Sequence, residues 1–85
     1  MAIGEYTKAI QVNPDLEDAY YYRAISYEML DQYQNAFNDY NKAVLLDPDD
    51  AYNYNGRGNA YSNLGQTANA NANKTRACSL DSQWC

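Results

Sequence analysis

The sequence has 85 residues and a net charge of −5 at pH 7, from six Lys+Arg and eleven Asp+Glu, which bounds it to one small acidic domain. The acidic balance argues against a nucleic-acid surface, which needs clustered basic side chains, and no apolar run approaches the ~20 residues of a membrane span. With no histidine, the chain lacks the commonest general base and the commonest metal ligand.

Five helices are predicted along the chain. Spacings of three and four residues place Tyr20, Ala24 and Tyr27 on one face of the second helix. Proline ends the helices before residues 13–15 and 47–50, because the residue preceding a proline is pushed out of the α conformation. The predicted helices cover residues 2–12, 17–30, 33–46, 51–64 and 67–80.

The sequence repeats itself with a period of 34 residues, and sixteen residues recur identically when the chain is shifted by that length. Repetition at this period is typical of stacked helical hairpins. The breaks near residues 31–32 and 65–66 are short enough for antiparallel hairpins. The pattern predicts an all-α solenoid of about two and a half hairpin units.

The recurring residues resemble the tetratricopeptide repeat, a 34-residue helix–turn–helix unit with the pattern W-x2-L-G-x2-Y, then A-x3-F, then P. The matching positions are Tyr20, Arg23, Ala24, Tyr27, Ala36, Tyr40 and Pro48, followed in the next unit by Tyr54, Arg57, Gly58, Tyr61 and Ala70. The resemblance implies one domain over residues 1–85, with a half repeat at 1–14, a full repeat at 17–50 and a divergent C-terminal capping repeat at 51–85.

Small residues such as Ala24 and Gly58 are expected to let the two helices of each hairpin approach closely. Arg23 and Arg57 occupy the position where the family usually has leucine. We expect their stems to cover tyrosine rings and their charged ends to reach solvent or an acid in a loop.

The last helix departs from the repeat pattern, since residues 67–74 read TANANANK where the preceding unit has aromatic residues. A terminal repeat must not offer an apolar face to a further neighbour. We expect this segment to be the outer helix of a cap, with alanines forming a thin contact face and asparagines facing water. Because asparagine is a weak helix former, we expect the loosest helix of the five here.

No catalytic arrangement is visible, so we expect a non-enzymatic chain that needs no cofactor or metal. The acids at 47–50 lack the glycine and distal glutamate of a calcium loop and are interpreted as the start of a helix. The first residues have no signal-peptide pattern, so we expect a soluble protein, cytoplasmic by default.

Two cysteines, Cys78 and Cys85, lie seven positions apart at the end of the chain. Their spacing leaves three alternatives open. Either both cysteines are free thiols, or they form a disulfide with each other that fixes the cap, with Trp84 folded over its end, or they form a disulfide with another molecule.

In this family the first helix of each repeat, called here the first-type helix, lines a concave groove for peptide segments. Projected onto this sequence, the groove positions are Asp18, Tyr21, Tyr22, Ile25 and Glu28 or Met29, with Tyr52, Asn55, Asn59, Ser62 and Asn63. The family's clamp for the acidic C-termini of heat-shock chaperones needs basic residues, and only Asn59 matches it. We therefore expect a neutral or basic extended peptide as the partner.

A second hypothesis concerns the first helix, which has no partner helix before it. Its apolar residues Ile3, Tyr6 and Ile10 are then expected to form a strip open to another chain. A self-associating fragment of a longer array is the alternative to a peptide-binding module.

Overall fold

A computed structural model describes residues 2–85, which form five α-helices followed by one short 3-10 turn. Met1, the first residue of the predicted half repeat, lies outside the described residues. The helices are α1 (Ala2–Val12), α2 (Glu17–Met29), α3 (Tyr33–Leu46), α4 (Ala51–Asn63) and α5 (Thr67–Leu80), and the 3-10 turn is Ser82–Trp84. The predicted all-α architecture of antiparallel hairpins is confirmed, with helix ends that differ from the predicted ones by one residue at most.

The two hairpin turns are built alike. The backbone takes a left-handed conformation at Asp31 (φ 59°) between α2 and α3, and at Gly65 (φ 78°) between α4 and α5. In each turn the next residue donates its N–H back to a tyrosine carbonyl, from Gln32 to Tyr27 at 2.9 Å in the first. This pattern ends a helix and reverses the chain. Aspartate tolerates this conformation better than most residues, and glycine adopts it freely.

The helices pack as successive layers: α2 pairs with α3 and α4 with α5, while α1 lies against α2 and α3 against α4. The buried centre consists of Ala24, Ala36, Tyr40 and Ala60. Tyr27 packs against this centre half-buried, as do Tyr21, Ile25 and Phe37. Alanine on one helix thus accommodates tyrosine from the next, which brings the helix axes close together.

Two glycines of α4 occupy places where a side chain would collide with a neighbouring helix. At Gly58 a Cβ would lie 3.2 Å from the carbonyl oxygen of Ala70 on α5. At Gly56 the ring of Tyr40 fills the space, and a Cβ would come within 2.7 Å of its Cδ1. Because Cβ contacts under 3.0 Å do not occur in real structures, Gly56 is the position where the core depends most on a missing side chain.

The expected packing of Arg23 against tyrosine rings is present, since its Cζ lies 5.7 Å and 5.8 Å from the ring centroids of Tyr20 and Tyr27, but the expected position of its charged end is wrong. Its guanidinium lies between helices, where Nε and Nη2 donate to the two carboxylate oxygens of Asp39 on α3, both at 2.7 Å. Its Nη1 also donates to Thr7 Oγ1 on α1 at 3.2 Å. Asp39 is only 5% exposed, so this acid belongs to the interior rather than to a loop. The arginine therefore connects three consecutive helices.

The same connection recurs one unit later with neutral partners. Arg57 donates from Nε to Asn73 Oδ1 on α5 at 2.7 Å, and from Nη1 to Asn41 Oδ1 on α3 at 2.9 Å. These partners lie 34 positions after Asp39 and Thr7. The repeat therefore extends to its buried polar contacts, with the carboxylate replaced by an amide in the last unit.

The expectation for the TANANANK segment is correct only in part: Asn69 and Asn71 are exposed, as expected. Ala70 is buried against α4, as a thin contact face requires, but Ala68 and Ala72 are exposed. Asn73 does not face water, since it is 8% exposed and accepts a hydrogen bond from Arg57. The physical reason is that the guanidinium of Arg57 needs hydrogen-bond acceptors inside the hairpin, and the side-chain oxygen of Asn73 supplies one.

A disulfide and aromatic contacts hold the C-terminal segment and helix α1 against the neighbouring helices. Of the three alternatives for the cysteines, the structure contains the intrachain disulfide between Cys78 and Cys85, with a Cα–Cα distance of 4.7 Å. This link folds the 3-10 turn back and places Trp84 against the ring of Tyr52, 5.1 Å between centroids. At the other end, Tyr6 stacks on Tyr22 at 6.0 Å.

No helix within residues 2–85 combines the length and the apolar character needed to cross a bilayer.

Candidate binding groove

A cavity of about 350 Å³ lies between the N-terminal halves of α2 and α4. It is lined by Glu17, Asp18, Tyr21, Tyr22, Ile25, Asp50 and Tyr52. Asp18, Tyr21, Tyr22, Ile25 and Tyr52 are all among the positions projected onto a groove from the sequence. Glu17 and Asp50 are not, and they add two carboxyl groups to the cavity.

The aromatic wall is an edge-to-face cluster centred on Tyr21. Its ring lies 5.4 Å from Tyr22 and 6.4 Å from Tyr52, with interplanar angles of 79° and 83°. Tyr22 and Tyr52 are 49% and 48% exposed, so much of their ring surface is open to a ligand. Tyr6 stacks on one of these rings and Trp84 contacts the other. The wall is therefore supported from both sides and offers rigid contact area.

Two acids of the cavity lining, Glu17 and Asp50, form with the neighbouring Asp47 a group that we call the acidic triad. One carboxylate oxygen from each lies within 4.8 Å of the other two. Asp50 also caps α4 by accepting the N–H of Tyr52 at 2.9 Å, and Asn53 Nδ2 donates to Glu17 Oε1 at 2.6 Å. These contacts fix the carboxyl groups of Glu17 and Asp50 at the starts of α2 and α4.

The crowding of carboxyl groups changes the protonation of Glu17. Burial, and after it hydrogen bonding with Asp18 and Asp50, raises the pKa of Glu17 to about 8, although the Asn53 hydrogen bond acts in the opposite direction. Burial also raises the pKa of Tyr21 above its usual range, so this phenol stays neutral. At neutral pH the Glu17 carboxyl group therefore holds a proton.

The far end of the predicted groove is arranged differently. Glu28 accepts hydrogen bonds from the Tyr40 hydroxyl and, at 3.1 Å, from Asn63 Nδ2, so it links α2, α3 and α4. The pKa of Tyr40 is raised, first by burial and then by this carboxylate. The projected groove residues that do not line the cavity are Glu28, Met29, Asn55, Asn59, Ser62 and Asn63. For these residues, and equally for those that line the cavity, a role in binding stays a prediction.

Two family models described as tetratricopeptide repeats match the chain, one over residues 17–50 and the other over residues 39–72. The chain belongs to the tetratricopeptide repeat family. No curated protein sequence gives a match. As a member of this family the chain is a protein–protein interaction module, built from repeats that stack in register.

Solved structures share the tetratricopeptide fold with the chain. The Arabidopsis OM64 TPR domain is 32% identical with a TM-score of 0.91, over 95% of this chain and 67% of that one. The first TPR of Spaghetti (RPAP3), bound to the HSP90 peptide SRMEEVD, is 29% identical with a TM-score of 0.90, over 93% and 63%. The MamA protein is 25% identical with a TM-score of 0.85, over 95% and 44%. The chain thus spans less than two thirds of the last two.

Sequence reasoning missed two residues of this tetratricopeptide groove, Glu17 and Asp50, and it missed the buried Asn53, which donates a hydrogen bond to Glu17. Glu17 and Asp50 both lie next to the start of a first-type helix, where an acid is explained by the helix dipole alone. The signal that would have found them is the stacking itself, because successive hairpins bring these helix starts side by side. Asn53 occupies the position of Ala19 one unit earlier, so it is a polar departure at a buried site.

Proposed function

We propose that this domain binds an extended segment of a partner protein along the face of α2 and α4, with a preference for neutral or basic segments. The observation that carries the proposal is the cavity itself, which combines tyrosine rings with the carboxyl groups of Glu17, Asp18 and Asp50. Rigid aromatic side chains supply contact area at low entropic cost, and the acids favour positive charge.

The acidic lining of this cavity does not suit a peptide like SRMEEVD, the HSP90 peptide to which one relative is bound. That peptide carries two glutamates and an aspartate. Brought to the cavity described here, such a peptide would place its carboxylates near those of Asp18 and Asp50, and like charges at short range disfavour the wrong partner. The proposed partner of this chain is therefore of a different charge class.

Peptides of one length and differing charge test the proposal. Fluorescence anisotropy with lysine-rich, serine-rich and glutamate-rich peptides should give the tightest binding for the lysine-rich peptide, weakening as salt is added. Asp18→Asn should weaken that binding. Glu5→Gln, the same charge change at an exposed position on α1, should not. A preference for the glutamate-rich peptide would overturn the proposal.

A second candidate function is self-association through α1, and the exposure of its outer face favours it. Ile3 and Ile10 are only half-buried, and Val12 at the end of the helix is 88% exposed. Sedimentation velocity across a concentration series should show a concentration-dependent increase in mass that Val12→Gln reduces. A constant monomer mass at every concentration would exclude this function.

A further inference from the structure

We infer that the acidic triad and the neighbouring tyrosine rings bind one lysine side chain of the partner segment, with its ammonium among Glu17, Asp47 and Asp50. The inference rests on the proposed function and names the side chain that the groove selects.

The geometry of the triad suits a single ammonium nitrogen. Its three carboxylate oxygens lie within 4.8 Å of one another, so some point lies within about 2.8 Å of all three (4.8 Å divided by √3), a normal N–H···O distance. A lysine ammonium has three N–H donors that spread from one atom. Each carboxylate can therefore accept one hydrogen bond from the same nitrogen.

The buried side of the triad has more acceptors than donors. Asn53 is fully buried, and its Nδ2 is shared by Glu17 Oε1 at 2.6 Å, the Ala43 carbonyl at 3.2 Å and the Asp47 carbonyl at 3.4 Å. Its Oδ1 has no hydrogen-bond partner within the described chain. Because the amide donor behind Glu17 is shared among three acceptors in this way, the carboxylates of the triad are short of N–H donors, which a positively charged ligand with several N–H groups would supply.

The aromatic wall distinguishes an ammonium from a metal ion. Ca²⁺ is bound by six to eight oxygen atoms, whereas the cavity continues from the triad into the rings of Tyr21, Tyr22 and Tyr52. Ring faces attract an organic cation, and they cover the methylene stem of a lysine side chain. Arginine fits less well, because its planar guanidinium is matched to one carboxylate in bidentate geometry.

Protonation of Glu17 gives the binding a characteristic pH dependence. The groups that face Glu17 are Asp18 on α2, Asp47 and Asp50 beside the α3–α4 loop, and Asn53 on α4. An ammonium must displace the proton that this carboxyl holds, while lysine itself stays charged below about pH 10. Affinity for a lysine segment should therefore rise between about pH 6 and pH 8.5, and binding should release a proton.

The test uses neutral peptides that differ at one central position, which is lysine, arginine, trimethyl-lysine or norleucine. Isothermal titration should give at least about tenfold tighter binding for lysine than for each of the others, a difference of about 1.4 kcal/mol. Asp50→Asn should abolish this preference while keeping the α4 cap, since asparagine caps a helix as well as aspartate does. Glu17→Gln should also reduce it, and Glu5→Gln should leave it unchanged.

Three results would overturn the inference. The first is equal binding of lysine and arginine, and the second is a lysine preference that survives Asp50→Asn in a variant with unchanged urea midpoint. The third is displacement of the lysine peptide by millimolar CaCl₂, which would make the triad a metal site. Lysine-rich peptides that still bind the groove in the second case would leave the proposed function standing, whereas failure of every peptide to bind would remove both.

Discussion

Replacing Asp39 by asparagine tests how much the ion pair with Arg23 contributes to holding α1, α2 and α3 together. The pair is bidentate, with both N···O distances at 2.7 Å, and the two side chains are 17% and 7% exposed. Removing one partner of a buried pair costs about 3–5 kcal/mol. Asparagine keeps one acceptor for Arg23 and loses the charge and the second bond, so we expect a loss of about 2 kcal/mol in the free energy of unfolding.

The second hairpin supplies a matched control. Asn73 takes the place of Asp39 beside Arg57, so Asn73→Asp gives that arginine the carboxylate that the first one has. We expect the free energy of unfolding to rise, by less than Asp39→Asn lowers it. The gain is smaller because the new side chain loses the 2.8 Å hydrogen bond that Asn73 Nδ2 donates to the Asn69 carbonyl.

Urea unfolding at pH 7, followed by circular dichroism, measures both variants on one scale. For a domain of this size about 1 kcal/mol corresponds to about 4–8 °C in Tm, so Asp39→Asn should also be visible by heating. A loss below about 0.5 kcal/mol for Asp39→Asn would place the pair among ordinary surface salt bridges. That result, or any loss in the free energy of unfolding for Asn73→Asp, would refute the reasoning.

Three further predictions concern stability. Gly56→Ala should lower the urea midpoint because its Cβ meets the Tyr40 ring, whereas Gly4→Ala, with nothing within 4 Å of its Cβ, should raise the midpoint through a gain of up to about 1 kcal/mol in the free energy of unfolding. A midpoint raised by both changes would contradict the packing. Because the pKa of Glu17 is raised to about 8 in the folded state, the folded protein keeps a proton there that the unfolded chain loses above about pH 4.5. The stability that this bound proton contributes is therefore lost as the pH rises through about 8. Glu17→Gln should reduce this fall of the free energy of unfolding with pH, and an unchanged pH profile would contradict the prediction. Cys85→Ser should cost about 1–2 kcal/mol and red-shift the fluorescence of the single tryptophan; an unshifted spectrum would mean that the disulfide does not position it.

The helices could be predicted from the sequence because their determinants are local and repeated. Breaks at Pro14 and Pro48, together with a 34-residue period, located every helix end to within one residue. The groove could be predicted only in part, since a projection from one helix face finds Tyr21 and Tyr52 but not the carboxyl groups that neighbouring turns bring beside them.

The buried polar contacts could not be predicted, because they depend on the register between helices. Arg23 and Asp39 are 16 residues apart, and a lone acid on a helix is usually a solvated one. The same difficulty affected Asn73, whose burial follows from Arg57 and not from its own character. The arrangement of Cys78 and Cys85 depended on whether the chain folds back after α5, which spacing alone does not fix.

The position of a bound peptide on the domain tests the central claim most directly. In amide chemical-shift mapping, titration with a lysine-containing peptide should move the resonances of Glu17, Tyr21, Tyr22, Asp50 and Tyr52 together with one affinity. Resonances on the outer faces of α3 and α5 should stay in place. Shifts concentrated on α3 or α5, with the cavity residues unmoved at saturation, would contradict binding in the groove between α2 and α4.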